Sequence, residues 1–591
     1  MPIAGLSNEA GGKWQFCSAP PDTNRPPPIK LGAHRRIAVV GSGIAGLSSA
    51  WLLSRKHDVT IFEREKKLGM DAHAVVNPDG THFDVPLRIF NPEYYPNLTK
   101  LYETVGVKFQ PVDFAFSCTY LLPGAGTMET LEQDRTSTGL SFFRYSNMTS
   151  IIKFPYPSLS LDPMQKWIPG WLQAVRKYGK LCAELVYFFA IAPRHIGTER
   201  MNNKTLGEYL RGEGYSQDFI GELLYPMLTV VCTCSYEVLD LYPAEVIAAY
   251  HDSYGSWTWL PNPKRANRFS GGEHCRVTDG VCDVVAKLSK DCGKLHLNAK
   301  VSKVSPAGSG EGCTVSWMDG DTGEDKSETF DSIVVATQAH HARNLISAGG
   351  GSESAIEALG CWGKEASRVV VHTDERLMPA RKSDWSNVNL ILENQNAKCF
   401  EGGAGVKNAP FERDEGRAWP SSGTLSAQCP GKLAASMCSI WMHNVDRSLD
   451  PSLIQTWNPI IEPLPSKVLS NSWFERPTLN TDTCRGIDKL REAQGEGGIY
   501  YVGAYSLYSM PLLENGVRSS CKVARMLGVE PVWGDVCYQG DRDVEERRIR
   551  RLEGGGGEGG ERRRFGWLSV AAVGVGVLGV GGIFLVRGKR R

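Results

Sequence analysis

The sequence predicts an α/β protein: a discontinuous Rossmann-like dinucleotide-binding domain, a mixed α+β second domain and a C-terminal transmembrane helix. Three observations predict it. A glycine turn lies between two apolar strands near the start, buried-strand patterns return in the middle and near the end, and an uncharged stretch lies close to the C-terminus. The turn is RIAVVGSGIAG, Arg36 to Gly46, closed by Val59-Thr60-Ile61-Phe62-Glu63. It reads as strand, turn, helix and a second strand ending in an acid. Gly41 permits the tight turn, Gly43 lets the backbone approach a pyrophosphate, and Gly46 lets the helix pack on the strand. The helix N-terminus offers free N–H groups to phosphate oxygens. Glu63 stands at the spacing from which a carboxylate accepts both hydroxyls of an adenosine ribose. A glycine turn alone is weak evidence; with both strands, the helix and the acid present, the segment points to FAD or NAD.

Buried-strand signals return far downstream. Leu295 to Val304 alternates, and a polar loop then leads to Val315-Ser316-Trp317. Phe330 to Thr337 reads as a buried parallel strand ending in small residues. Gly498 to Tyr505 reads as another, followed by a turn through Glu514-Asn515-Gly516 and a helix from Val517 to Leu527. A strand that brings a backbone turn at Gly503 and a helix N-terminus to the centre of the fold can stabilise negative charge on an isoalloxazine ring. The nucleotide domain is therefore assembled from the start, middle and end of the chain. A simple NAD dehydrogenase completes its Rossmann unit in one stretch, which disfavours that class.

The expected organisation is a disordered N-terminus at 1–34, nucleotide-domain segments at 35–120, 261–345 and 491–530, and second-domain segments at 121–260 and 346–490. The 121–260 segment reads as mostly helical. Its run Leu185 to Ala192 suits a membrane-dipping or channel-lining helix, but a core helix is the preferred reading. A charged, Gly-rich linker follows at 531–564, with Gly554 to Gly557 and Arg562-Arg563-Arg564 inside it. Phe565 to Val586 then runs 22 residues without a charge and ends against Arg587. That length spans about 30 Å of hydrocarbon as a helix. A single-pass tail anchor is expected, with the catalytic body in the cytosol. Basic flanks on both sides leave the organelle open.

Composition is that of an ordinary globular protein. Lys and Arg number 66 against 65 Asp and Glu, a formal charge of +1, so nothing global points to nucleic acid. The sixteen cysteines contain no C-x-x-C pair; Cys232 and Cys234 come closest and read as buried thiols. No apolar signal segment opens the chain, so the sequons at Asn97, Asn147 and Asn203 read as chance matches and a reducing compartment is expected. His340-His341 have no carboxylate or cysteine at ligand spacing in the sequence, and no metal site is expected.

Several segments carry a family likeness: Gly41 to Gly46; Asp84-Val-Pro-Leu-Arg-Ile-Phe-Asn91 with Tyr95 to Thr99; Gly212 to Gln217; Gly271-Gly272 with Asp279-Gly280; His372-Thr-Asp-Glu-Arg-Leu-Met-Pro379; and Gly503-Ala-Tyr505 with Gly516 to Ser519. In these the chain resembles the flavin-containing amine oxidase and FAD-dependent desaturase superfamily, and more closely the amine-oxidase-domain proteins of bacteria, fungi and plants. The resemblance implies noncovalent FAD facing an apolar substrate domain. It gives the pyrophosphate to Gly41, Ser42, Gly43, Ile44, Ala45 and Gly46, and the adenosine ribose to Glu63. It gives the adenine side to the Val301 backbone and the flavin surroundings to Gly503 and to Glu514 through Val517. Two departures stand out. The superfamily has a Gly-Gly pair and a basic residue where this chain reads Leu68-Gly69-Met70-Asp71, so Met70 crowds the cofactor unless the loop shifts. No cysteine adjoins Gly503-Ala-Tyr505, so no covalent flavin link is expected.

Catalytic residues are not identified by the sequence. His372 is a candidate that reads more readily as a packed or supporting residue, and Tyr505 and Tyr508 as an aromatic wall or as packing. The leading function is an FAD-dependent oxidoreductase that moves a hydride from a C–N or C–C bond to flavin, on a small, hydrophobic or lipid-like substrate. The alternatives are an NAD-dependent dehydrogenase and a catalytically silent, membrane-tethered flavoprotein.

Overall fold

The computed structural model describes residues 34–69, 73–76, 82–92, 94–122, 138, 141–145, 168–253, 274–308, 312–393 and 436–534. Its organising element is a five-stranded parallel sheet in the order Lys294–His296, Asp58–Phe62, Arg36–Val40, Ser332–Val335, Ile499–Tyr501. The strands come from three distant parts of the chain, as the returning strand patterns predict. Ile37, Ala38, Val39, Ile333, Val334 and Val335 are fully buried. Such continuous apolar runs form because both faces of a parallel sheet are covered. The helix Ile44–Leu53 packs on one face, beside Leu513–Met526 and Gly280–Ser289. A three-stranded antiparallel meander, Ala299–Ser305, Cys313–Asp319 and Asp325–Phe330, lies against the sheet elsewhere. Phe62 ties the two together: its ring stacks on His296 at 4.9 Å and meets Trp317 edge-on at 4.8 Å.

Two boundaries differ from the sequence reading. Leu295 to Val304 is two strands, Lys294–His296 in the parallel sheet and Ala299–Ser305 in the meander. Asn298 breaks them apart with φ of +50°, a conformation asparagine tolerates better than most residues. The last helix begins at Leu513, so Glu514-Asn515-Gly516 forms its first turn and not a preceding loop. A helical glycine ordinarily costs stability, but a Cβ on Gly516 would lie 2.8 Å from the Ile44 side chain, so close helix packing requires it. Buried serines fill the same seam: Ser48 and Ser49 each meet the Ser520 hydroxyl at 2.9 Å.

The second domain is built on a seven-stranded sheet in the order Val468–Thr478, Gly363–His372, Ile454–Trp457, Ser436–Trp441, Val388–Leu392, Phe116–Tyr120, Phe143–Tyr145. All its pairings are antiparallel except that of Val388–Leu392 with Phe116–Tyr120. Phe116–Tyr120, inside the first expected nucleotide segment, therefore joins this sheet. Helices from Ile168 to Ser253 pack beside it. In Ile168–His195, Leu181, Leu185, Phe188 and Ala192 recur at helical spacing and are buried; the helix lies against Ala244–Ser253. Leu185, Phe188 and Ala192 of that run thus form a core face, while Val186, Tyr187, Phe189, Ala190 and Ile191 are half-buried.

The expected transmembrane helix is corrected. Among the described residues no helix is long and apolar enough to cross a membrane. The longest, Ile168–His195, is interrupted by Arg176, Lys177, Lys180 and Glu184. Phe565 to Val586 lies outside the described residues, as do the expected N-terminal tail to residue 33, the linker from 535, Met70 and Gly271-Gly272. The fold class is α/β, with a Rossmann-like nucleotide domain and a mixed second domain, and the membrane contact expected through a C-terminal helix has no support.

Candidate functional site

Gly41 sits at the carboxyl end of the central strand Arg36–Val40, whose neighbours Asp58–Phe62 and Ser332–Val335 lie on opposite sides. This is the position in an open parallel sheet where the chain's winding reverses and a crevice opens. Gly41 takes φ of +102°, and its N–H donates to the Phe62 carbonyl at 2.8 Å. A Cβ there would approach the Ala336 carbonyl oxygen to 3.1 Å. At Gly46 a Cβ would fall 1.9 Å from the Gly41 carbonyl oxygen, so helix and turn touch through backbone alone. Gly43 differs: a Cβ there would meet no atom within 4 Å. The turn therefore leaves open space in front of Gly43. The helix behind it has no side-chain cap at Gly43 and no acid in its first turn. An uncapped helix N-terminus facing open space suits an anionic group. These features fit the pyrophosphate of a dinucleotide.

Ser42, Ile44 and Ala45 are buried in the same turn. Ser42 donates its N–H at 2.9 Å and its hydroxyl to the Glu63 carboxylate, and the Glu65 N–H reaches the other oxygen at 3.0 Å. The carboxylate thus stands beside the glycine turn, although 21 residues separate Ser42 from Glu63. Main-chain bonds continue outward: Glu63 N–H donates to His296, and Ala299 N–H to the Glu63 carbonyl, both at 2.8 Å. Val301, two residues further on, is half-buried in the meander opposite Trp317.

The third contribution comes from Ile499–Tyr501. Val502 N–H donates to Val335 at 3.0 Å, bringing Gly503 to the carboxyl end of the sheet with φ of +150°. Gly503 N–H is held by the Ser519 hydroxyl at 2.9 Å, from the helix that carries Glu514 and Val517. Val517 is fully buried. Glu514 faces another helix: its carboxylate accepts Asn97 N–H at 3.1 Å, Asn97 Nδ2 at 2.7 Å and Leu98 N–H at 2.9 Å. These donors open the helix Pro96–Val105, which Glu514 caps from across the core. Burial pushes its carboxyl up to about 7, although those hydrogen bonds and Arg518 pull the other way.

Tyr505 is buried, and its hydroxyl lies 3.3 Å from the Val335 carbonyl. Tyr508 donates to Glu245 at 2.8 Å, and burial raises its phenol well above the ordinary range. His372 is fully buried in the seven-stranded sheet. Its Nδ1 accepts the Asp374 N–H at 3.0 Å, which leaves Nε2 to donate to the Thr456 hydroxyl at 2.8 Å. Burial pushes its pKa down to about 4, so the ring is neutral at pH 7. Both ring nitrogens are committed to the sheet and the 373–387 loop. His372→Ala is expected to cost roughly 2 kcal/mol through the partners it strands, with the flavin spectrum unchanged. A shifted flavin spectrum at an unchanged Tm would place the ring at the cofactor instead. Cys232 and Cys234 are both buried free thiols; the neighbouring Cys232 and burial raise the Cys234 thiol.

One cluster was not legible in the sequence. Glu475 of Val468–Thr478 meets His340 Nε2 at 3.2 Å and His341 Nε2 at 3.9 Å. The proximity of His340, with Lys364 assisting, holds the Glu475 carboxyl below its ordinary range, and burial pushes His341 down to about 4. The adjacent histidines were the only signal, because their carboxylate lies far away along the chain.

Residues 258–527 match the family model of flavin containing amine oxidoreductases, and residues 39–105 match that of NAD(P)-binding Rossmann-like domains. The chain thus carries both domains, in agreement with the resemblance drawn from its motifs, and a flavin-containing family bears out the expectation of FAD. A zeta-carotene desaturase of Synechocystis is 38% identical over 74 residues, 12% of this chain and 15% of that protein. The zeta-carotene desaturase of Capsicum annuum is 33% identical over 78 residues, 13% of each chain. This chain therefore spans about a seventh of the length of the curated relatives it matches. The solved cyclohexylamine oxidase of Brevibacterium oxydans has 13% sequence identity and a TM-score of 0.45, covering 84% of this chain and 99% of its own.

Proposed function

We propose that this chain, which carries a flavin-containing amine oxidoreductase domain over 258–527, is an FAD-dependent oxidoreductase that oxidises a C–N or C–C bond of a hydrophobic small molecule to a double bond, a hydride leaving a C–H bond and a proton the neighbouring atom. The observation that carries the reading is the convergence at the end of one parallel sheet. The open turn at Gly43, the Glu63 carboxylate and the Gly503 turn arrive there from the start and end of the chain, beside the Ser332–Val335 strand. The turn Gly41 to Gly46 would hold the pyrophosphate through the backbone N–H groups from Gly43 onward. Glu63 would exchange its Ser42 and Glu65 partners for ribose hydroxyls, and the Val301 backbone would border the adenine. The Gly503 turn and Gly516-Val517, at the end of the first turn of the helix Leu513–Met526, would border the isoalloxazine. Bound flavin supplies the two-electron acceptor; the chain supplies orientation and exclusion of water. The short stretches shared with two zeta-carotene desaturases favour an apolar, unsaturated substrate over a polar amine.

The test uses the full-length protein. Its visible spectrum is expected to show oxidised flavin that leaves with a small molecule on heating. Anaerobic addition of a detergent-dispersed polyene is expected to bleach that flavin, and a panel of primary amines to bleach it less. A folded, colourless protein that takes up no added FAD would refute the reading. Bleaching by amines alone would move the substrate to the amine class.

A further inference from the structure

We infer that His340, His341 and Glu475 form a binding site for one divalent transition-metal cation, at the joint between the helix Ala339–Ala348 and the edge strand Val468–Thr478. The ligating atoms of the three residues lie within 4.8 Å of one another. Nitrogen and oxygen ligands about 2.0–2.2 Å from a tetrahedral zinc stand roughly 3.3 Å apart. The 3.2 Å separation of His340 Nε2 from the Glu475 oxygen already matches, and the 3.9 Å separation at His341 needs only a small side-chain adjustment.

The approach of His340 does not amount to a hydrogen bond. Its Nε2 is buried and makes none with any of the described residues. At 3.2 Å that means the ring nitrogen is not aimed at the oxygen, as expected when a third atom is to sit between them. The carboxylate is also divided. Oε1 is held by Lys364 Nζ at 2.9 Å, and Oε2 is the oxygen that faces both rings. A supporting partner on the non-ligating oxygen is how a monodentate carboxylate is oriented at a metal. A small cavity adjoins two of the three ligands, His340 and Glu475, with Gln338, Trp362 and Lys364 in its lining. Two imidazoles and one carboxylate suit Zn2+, Ni2+ or Co2+ better than Mg2+ or Ca2+.

Two cations oppose binding: Lys364, whose ammonium holds Glu475 Oε1, and Arg64, whose guanidinium reaches His341 Nε2 at 3.5 Å. The Arg64 side chain is 44% exposed, so water screens its charge. Because the ligands come from a nucleotide-domain helix and a second-domain strand, the cation would act as a clip between them. The site is independent of the flavin reading.

The experiment titrates Zn2+ into chelator-stripped full-length protein near neutral pH by calorimetry. One equivalent is expected to bind at micromolar or tighter affinity and to raise Tm. His341→Ala and Glu475→Gln should each weaken binding at least tenfold. His341→Cys, which keeps a ligand at that position, should retain it, a contrast that general misfolding would not produce. Absence of a one-equivalent site, or an affinity that neither variant changes, would overturn the inference; zinc held by the cysteines would give the latter result.

Discussion

Gly46→Ala is expected to abolish FAD uptake and to lower stability by roughly 3 kcal/mol, whereas Gly43→Ala folds with nearly the wild-type Tm and loses cofactor affinity alone. The difference follows from what a methyl group meets. At Gly46 it would lie 1.9 Å from the Gly41 carbonyl oxygen and 2.9 Å from the carbonyl carbon. Neither atom belongs to a flexible side chain, so the helix Ile44–Leu53 must move off the strand that it packs against. Alanine ordinarily favours a helix interior over glycine by about 1 kcal/mol, too little to offset that displacement. At Gly43 the backbone has φ of −64° and ψ of 179°, which any residue adopts, and nothing lies within 4 Å of the new methyl. Its cost to the empty fold is the few tenths to about 1 kcal/mol by which alanine is a poorer N-cap than glycine. Its cost to binding is the space a pyrophosphate would fill, so affinity for FAD should fall at least tenfold, about 1.4 kcal/mol. Thermal melts of both apo-proteins and flavin titration of Gly43→Ala check the pair. Wild-type affinity in Gly43→Ala would mean that the turn is not a phosphate cradle.

The elements legible in the sequence were those whose signal is local. The strand, turn, helix and acid from Arg36 to Glu63 depend on apolar periodicity and glycine conformation, and both are written in consecutive residues. The buried strands Ser332–Val335 and Ile499–Tyr501 were legible for the same reason, as unbroken apolar runs. Where the reading went astray, a distant partner decided the structure. Glu514-Asn515-Gly516 has turn composition, yet contact with Ile44 makes it the first turn of a helix. Phe116–Tyr120 lies next to nucleotide-domain segments in sequence but pairs with Val388–Leu392, some 270 positions on. His340 and His341 lacked a carboxylate until Glu475 arrived from the edge of the other sheet. His372 has the residue type of a catalyst, and only the positions of Thr456 and Asp374 show that both its nitrogens are occupied.

Glu514 is the largest such case, and its replacement is expected to damage folding more than chemistry. Glu514→Ala removes the shared acceptor of Asn97 N–H, Asn97 Nδ2 and Leu98 N–H in the core, where a buried donor left unpaired costs about 1–3 kcal/mol. The combined loss should be roughly 3 kcal/mol or more. Glu514→Gln retains an acceptor for Asn97 but turns an amide toward another donor, and should fall between. The pH dependence identifies the charge. The carboxyl is raised from its ordinary 4.5 to about 7, chiefly by burial. Between those two values the folded chain holds a proton that the unfolded chain has released. By linkage its contribution is full below pH 4.5 and falls as pH rises toward 7, by roughly 3 kcal/mol in all. The buried histidines act in the opposite sense. His251, pushed down to about 3 by burial, and His274 and His372, each to about 4, remain neutral in the folded chain and destabilise it as pH falls below 6.5. Their effect is common to wild type and Glu514→Gln and cancels in the difference between them. Denaturant melts of both proteins from pH 5 to 8 should therefore show the wild type losing ground steadily to Glu514→Gln as pH rises. A difference that does not change with pH would mean that Glu514 is ionised throughout and that its three donors outweigh its burial.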